Sequence, residues 1–95
     1  MKVVCAIHDT CAEMWLDPFI TVNNGSAIRG FSDAINGKSQ ELAAHPEHYN
    51  LFMIGEYDPA MGVLLPLLET KLLVRGIDVK SFAENSEQLS IGVNA

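Results

Sequence analysis

The stretch His45 to Val63, HPEHYNLFMIGEYDPAMGV, decides the fold. Pro46 biases His45 away from helical angles, so the stretch opens on a turn. Asn50 to Tyr57 then reads as a strand, with Leu51, Met53 and Tyr57 on one face and Phe52 and Ile54 on the other. Both faces are apolar, which makes this strand central or places it under a second subunit. Asp58-Pro59-Ala60-Met61-Gly62 reverses the chain: Pro59 presets φ at the second turn position, and Gly62 can take the left-handed bulge position. Val63 to Leu65 begins the return strand.

Before this stretch, Lys2 to His8 is rich in β-branched residues and reads as a strand, with Asp9 and Thr10 as its turn. Ala12 to Val22 forms an irregular second arm, because Pro18 has no amide donor and confines that part to an edge or a bulge. Asn23 or Asn24 caps the helix that follows. Ala27, Ile28, Phe31, Ala34 and Ile35 repeat at i, i+3, i+4, i+7 and i+8, giving an amphipathic helix over residues 25–36, and Gly37 ends it. Lys38 to Ala44 connects this helix to the deciding stretch, with room for one helical turn over Gln40 to Ala44.

After the stretch, Pro66 at a first helical position, Leu68 and Leu72 one turn apart, and Gly76 as a stop suggest a short helix. Lys71 to Val74 reads equally as a strand. Ile77 and Val79, with Leu89, Ile91 and Val93 beyond the turn-like Glu84 to Glu87, allow a last hairpin. The fold class expected is α+β: a small, mostly antiparallel sheet of two β-hairpins packed on one main helix. Residues 1–66 form the core domain, and residues 67–95 a C-terminal extension belonging to the same domain or to a dimer interface.

The composition excludes several classes of function. The 95 residues suit one small domain, and a content of 48% hydrophobic and 19% charged residues is too apolar for disorder. No apolar run approaches the roughly 18 to 20 residues of a membrane span, and His8 and Asp9 interrupt the opening apolar run, so neither an anchor nor a signal peptide is expected. Twelve acidic residues against six basic give a net charge of −6, which disfavours phosphate-dominated nucleic-acid binding. The cations best placed to touch phosphate are Lys71, Arg75 and Lys80, where the acidic excess is smallest. Cys5 and Cys11 do not form a Cys-x-x-Cys pair and read as small, buried or half-buried apolar residues.

Candidate sites reduce to structural chemistry on inspection. His45 and His48 are three apart, but Pro46 argues against a regular helix and no third ligand is positioned by sequence, so a surface turn is expected and no metal. His8 beside Asp9 lacks a nucleophile. Glu56 and Asp58 fall on one face at a strand end, as solvated edge charges do. Asn24-Gly25-Ser26 is a helix cap rather than a phosphate loop. Trp15, Phe19, Tyr49, Phe52 and Tyr57 lie on extended segments, an arrangement that can stack unpaired bases, although a small domain also needs aromatics in its core.

In order and spacing, Asp17-Pro18-Phe19, Ala27-Ile28-Arg29-Gly30-Phe31, Asp33-Ala34-Ile35-Asn36, His45-Pro46-Glu47 and Tyr49-Asn50-Leu51-Phe52, followed by Ile54-Gly55-Glu56-Tyr57-Asp58 and Gly62, carry a family signature. The chain resembles the small non-structural protein of gokushovirus-type microviruses, phages with circular single-stranded DNA genomes. His48 departs from an expected acidic residue, and Pro59 stiffens the turn. The resemblance implies a phage accessory protein working in the cytoplasm of the bacterial host during genome replication or packaging, and it supplies no catalytic residues and no cofactor. Arg29 is the single basic residue in a matched segment, and its structural role would be a solvent-facing pair with Asp33. The function expected is therefore a non-enzymatic protein acting through protein–protein contact as a homodimer, with a phage or host replication or packaging protein as a further partner and no membrane. The alternative is single-stranded DNA binding by aromatic stacking. The contact residues for either are Arg29, Trp15, Tyr49, Tyr57, Lys71, Arg75 and Lys80.

Overall fold

The computed structural model describes residues 1–80. Strand β1 spans Lys2–Asp9, β2 Met14–Trp15 and β3 Phe19–Thr21. Helix α1 spans Asn24–Asp33, continues as a π-turn over Ala34–Lys38, and is followed by α2 at Gln40–Ala44 and a 3-10 turn at Pro46–His48. Strands β4, Tyr49–Asp58, and β5, Val63–Arg75, complete the sheet, and residues 76–80 are helical. All strand pairings are antiparallel: β2 and β3 share one edge of β1, β4 pairs with its other edge, and β5 pairs with β4. Two hairpins joined through β1 and β4 thus form the α+β architecture read from the sequence.

Local chemistry explains each element. The Asn23 side chain accepts from the Ser26 amide at 2.8 Å and caps α1, and Ser39 caps α2 through the Leu42 amide. Gly37 takes φ 135°, which ends the helical segment, although its last turn is a π-turn rather than regular α-helix. Pro18 falls in the gap between β2 and β3, where residues 16–18 oppose only Ala6 and Ile7, so the irregular arm is a bulge at an edge. In the β4–β5 turn, Asp58 Oδ1 accepts from the amides of Ala60 and Met61, and Gly62 has φ 68°.

Two expectations for the chain after residue 62 are corrected. The short helix read as starting at Pro66 is not formed, and the equal reading of Lys71 to Val74 as strand holds: β5 runs from Val63 to Arg75 through Pro66, at the edge of the sheet where proline is tolerated. Ile77 and Val79 lie in helical backbone, so no hairpin arm starts there, while residues 84–93 lie outside the described residues.

The core forms between α1 and one sheet face. Ala27, Phe31 and Ile35 at i, i+4 and i+8 pack with Cys5, Leu42, Tyr49 and Leu51, all buried. Leu73, Val74 and Val79 close over this cluster, so chain beyond residue 66 contributes to the same packing. Cys5 is buried as expected, but Cys11 is exposed, because Asp9 Oδ1 accepts from the amides of Cys11 and Ala12 and holds Cys11 at the tip of a turn.

Candidate functional site

Strand register determines what the sheet shows on the side away from α1. Cross-strand partners share a face, so four rows can be read directly. His8 pairs with Trp15 and Asn50, and Asn50 with Arg75; Ala6 pairs with Phe52, and Phe52 with Leu72. Val4 pairs with Ile20 and Gly55, and Gly55 with Pro66; Lys2 pairs with Tyr57, and Tyr57 with Leu64. Cys5 and Ile7, which alternate with these β1 residues, face the helix.

This open face exposes several large apolar side chains. Trp15, Ile20, Leu64 and Leu72 are 44%, 47%, 61% and 49% exposed. At one end, the Trp15 ring lies 5.0 Å from Phe52 and 4.6 Å from His8, a three-ring cluster. Near the other end, Val4, Pro18, Ile54, Leu64 and Pro66 surround an open hollow of about 320 Å³. Gly55 forms its floor, and a Cβ there would approach the Leu65 carbonyl oxygen to 2.8 Å.

A bulge produces the rearrangement that simple alternation misses. Cys5 pairs with Met53 but Val4 with Gly55, so Ile54 is an extra residue on β4. Leu51 and Met53 therefore face the helix, whereas Tyr57 lies on the open face, contrary to the expected grouping of all three. On β5, residues 67–70 stand opposite Ile54 alone. The outer edge of the sheet is broken at that point, and Leu68 projects fully exposed from it.

The expected contact residues separate accordingly. Trp15, Tyr57 and Arg75 share the open face, and Arg75 is held by Asp78 through bonds of 3.0 and 3.1 Å. Lys71 pairs with Met53 and so belongs to the opposite side. Arg29 is exposed on α1, and no ion pair to Asp33 forms among the described residues. Lys80 is half-buried in the helical residues 76–80.

Tyr49 is not available to a partner: it is buried in the core with its hydroxyl 3.3 Å from Glu41 Oε1. Burial, then the Glu41 and Asp9 carboxylates, push its phenol above the usual value and keep it a hydrogen-bond donor. His8, Ile20, Leu64 and Leu72 are the face residues that sequence reading missed, while Phe52, already among its base-stacking aromatics, lies with them. The signal for the first of them was the alternation of Val4, Ala6 and His8 along β1.

Asp58 is occupied by the β4–β5 turn, and Asn23 by the helix cap. No described helix is long and apolar enough to cross a membrane.

A small antiparallel sheet thus carries a helix on one side and leaves large apolar side chains exposed on the other. The family model described as "Phage ORF5 protein" matches residues 2–79, and the chain belongs to that family of phage proteins. No curated protein and no solved structure matches it.

Proposed function

We propose that this phage protein is the non-enzymatic accessory protein of a gokushovirus-type microvirus, acting in the host cytoplasm in replication or packaging of a single-stranded DNA genome. It works through association, first with a second copy of itself. The observation that carries this reading is the open sheet face, where Trp15, Ile20, Leu64 and Leu72 lie together and exposed. Contiguous apolar surface of this kind marks an interaction site. A two-fold pairing of identical faces covers it with matching chemistry. The face is favoured over the edge because the bulge at residues 67–70 interrupts the outer edge of β5, a feature that opposes edge-to-edge pairing.

Light scattering on the full chain is expected to give a dimer. Replacing Leu64 and Leu72 together by Glu is expected to give a folded monomer, since each places a charge where apolar contact forms. A strict monomer for the unmodified chain, across the micromolar range and above, overturns the reading.

Binding of single-stranded DNA has one observation in its favour. The His8, Trp15 and Phe52 rings cluster on the open face, and His8 and Trp15 belong to the row that ends at Arg75. Bases can stack on such a platform, each contributing about 1–3 kcal/mol. The net charge of −6 and the Arg75–Asp78 pair oppose it. Titration of a labelled oligonucleotide at low and at moderate salt distinguishes the two. On this second reading, binding falls steeply with salt and is lost in Trp15→Ala; salt-independent or undetectable binding removes it.

A further inference from the structure

We propose that the turn carrying His45, Glu47 and His48 is a binding site for a borderline divalent transition-metal ion of the zinc or copper type. His45 precedes the 3-10 turn Pro46–His48 with φ −138° and ψ 61°, and His48 ends it. Their imidazoles stack across the turn, with centroids 5.1 Å apart and planes inclined by 16°. Glu47 reaches between them: its Oε2 lies 3.9 Å from His45 Nδ1 and 4.0 Å from His48 Nε2, and all three donor atoms fall within 4.8 Å of one another.

These separations are too long for hydrogen bonds, whose N to O distance is about 2.7–3.2 Å. The donors are thus arranged around a gap and are not bonded to each other. Zinc bonds of about 2.0–2.2 Å in a tetrahedron place neighbouring donors about 3.3–3.5 Å apart. Closing the trio onto an ion brings the donors together by about 1 Å and also turns the imidazoles out of their stack, since each nitrogen lone pair lies in its ring plane; exposed side chains can make both adjustments by rotamer change. Two imidazoles and one carboxylate suit zinc or copper and not calcium or magnesium, which take oxygen donors. Three protein ligands leave a further position for water.

The backbone beneath the site is fixed from three directions. The amide and hydroxyl of Thr10 both donate to the His48 carbonyl, at 2.8 and 3.0 Å. The His48 amide donates to the His45 carbonyl at 3.0 Å, and the Tyr49 amide to that of Pro46. Gly76 packs directly against the carbonyl oxygens of Pro46 and Tyr49. Ion binding therefore orders three side chains on a turn that is already placed, which lowers its entropic cost.

The test is calorimetric titration of zinc chloride into the full chain carrying Cys11→Ser, which removes the exposed thiol. One zinc per chain is expected. His45→Ala and His48→Ala should each weaken binding by at least the ~10-fold that loss of an outer-shell partner costs, and the double variant should abolish it. Equal zinc affinity in the unmodified and double-variant turns, or no binding in the unmodified turn at submillimolar zinc, overturns the proposal. Should the double variant fail to fold, the copper(II) form of the chain with an intact turn decides the matter. Its EPR spectrum should show coupling to two imidazole nitrogens, and coupling to fewer overturns the assignment.

Discussion

Gly76→Ala is expected to destabilise the fold by about 3 kcal/mol or more, at or beyond the upper end of ordinary overpacking. A Cβ at this position would collide with the Pro46 carbonyl oxygen and lie 2.7 Å from that of Tyr49 and 3.0 Å from Ile35 Cδ1. The first two contacts are with backbone, and neither carbonyl is free to retreat. Pro46 accepts from the Tyr49 amide, and the turn is held from its far side by Thr10. The cost is one of space and not of φ, since the positive-φ glycines of the described chain are Gly37 and Gly62. Gly30 is the control: a Cβ there meets nothing within 4 Å in the middle of α1, so Gly30→Ala should stabilise by up to about 1 kcal/mol through helix propensity. Urea denaturation of the two variants beside the parent measures both effects. A Gly76→Ala protein with an unchanged midpoint would refute the close packing of β5's end against the turn.

That contact also shows where sequence reading stops. Gly76 resembles a helix stop because glycine so often is one, but its requirement here is set by a turn some thirty positions earlier, and no local pattern encodes that. The same limit applies to Leu68 and Leu72. Their spacing fits a helix, yet the chain on either side of Leu68 pairs with β4, Pro66 with Gly55 and Leu72 with Phe52, and that ladder outweighs local preference. By contrast, the 25–36 helix was legible from its stripe, because Ala27, Phe31 and Ile35 meet the core through the period of the helix itself. The two-sided apolar character of β4 was legible for the same reason. The face assignment then failed beyond Ile54, since one extra residue reverses every later side chain while leaving composition untouched. His45 and His48 follow this pattern too: their spacing and a turn at Pro46 were plain, but the stacking of the two rings depends on backbone angles that the spacing does not encode.

Ile35→Ala is expected to cost about 2–5 kcal/mol, the range for truncating a fully buried aliphatic side chain. Ile35 is completely buried at the junction of α1 with the π-turn, in one cluster with Phe31, Leu42, Tyr49 and Leu51. Leu72, across the sheet, is 49% exposed, and Leu72→Ala should change the stability of an isolated chain by no more than about 0.5 kcal/mol. The two faces of one sheet thus have separate roles: the helix side holds the fold together, and the open side is available for contact. Concentration dependence tells these roles apart, because association that requires the folded chain raises apparent stability by mass action. The Ile35→Ala deficit should persist at every protein concentration. A variant impaired on the open face should match the parent when dilute and fall behind it as concentration rises. If Ile35→Ala and the open-face variants instead showed the same concentration dependence, the open face would be part of the structural core, and the division between a folding face and a binding face would be wrong.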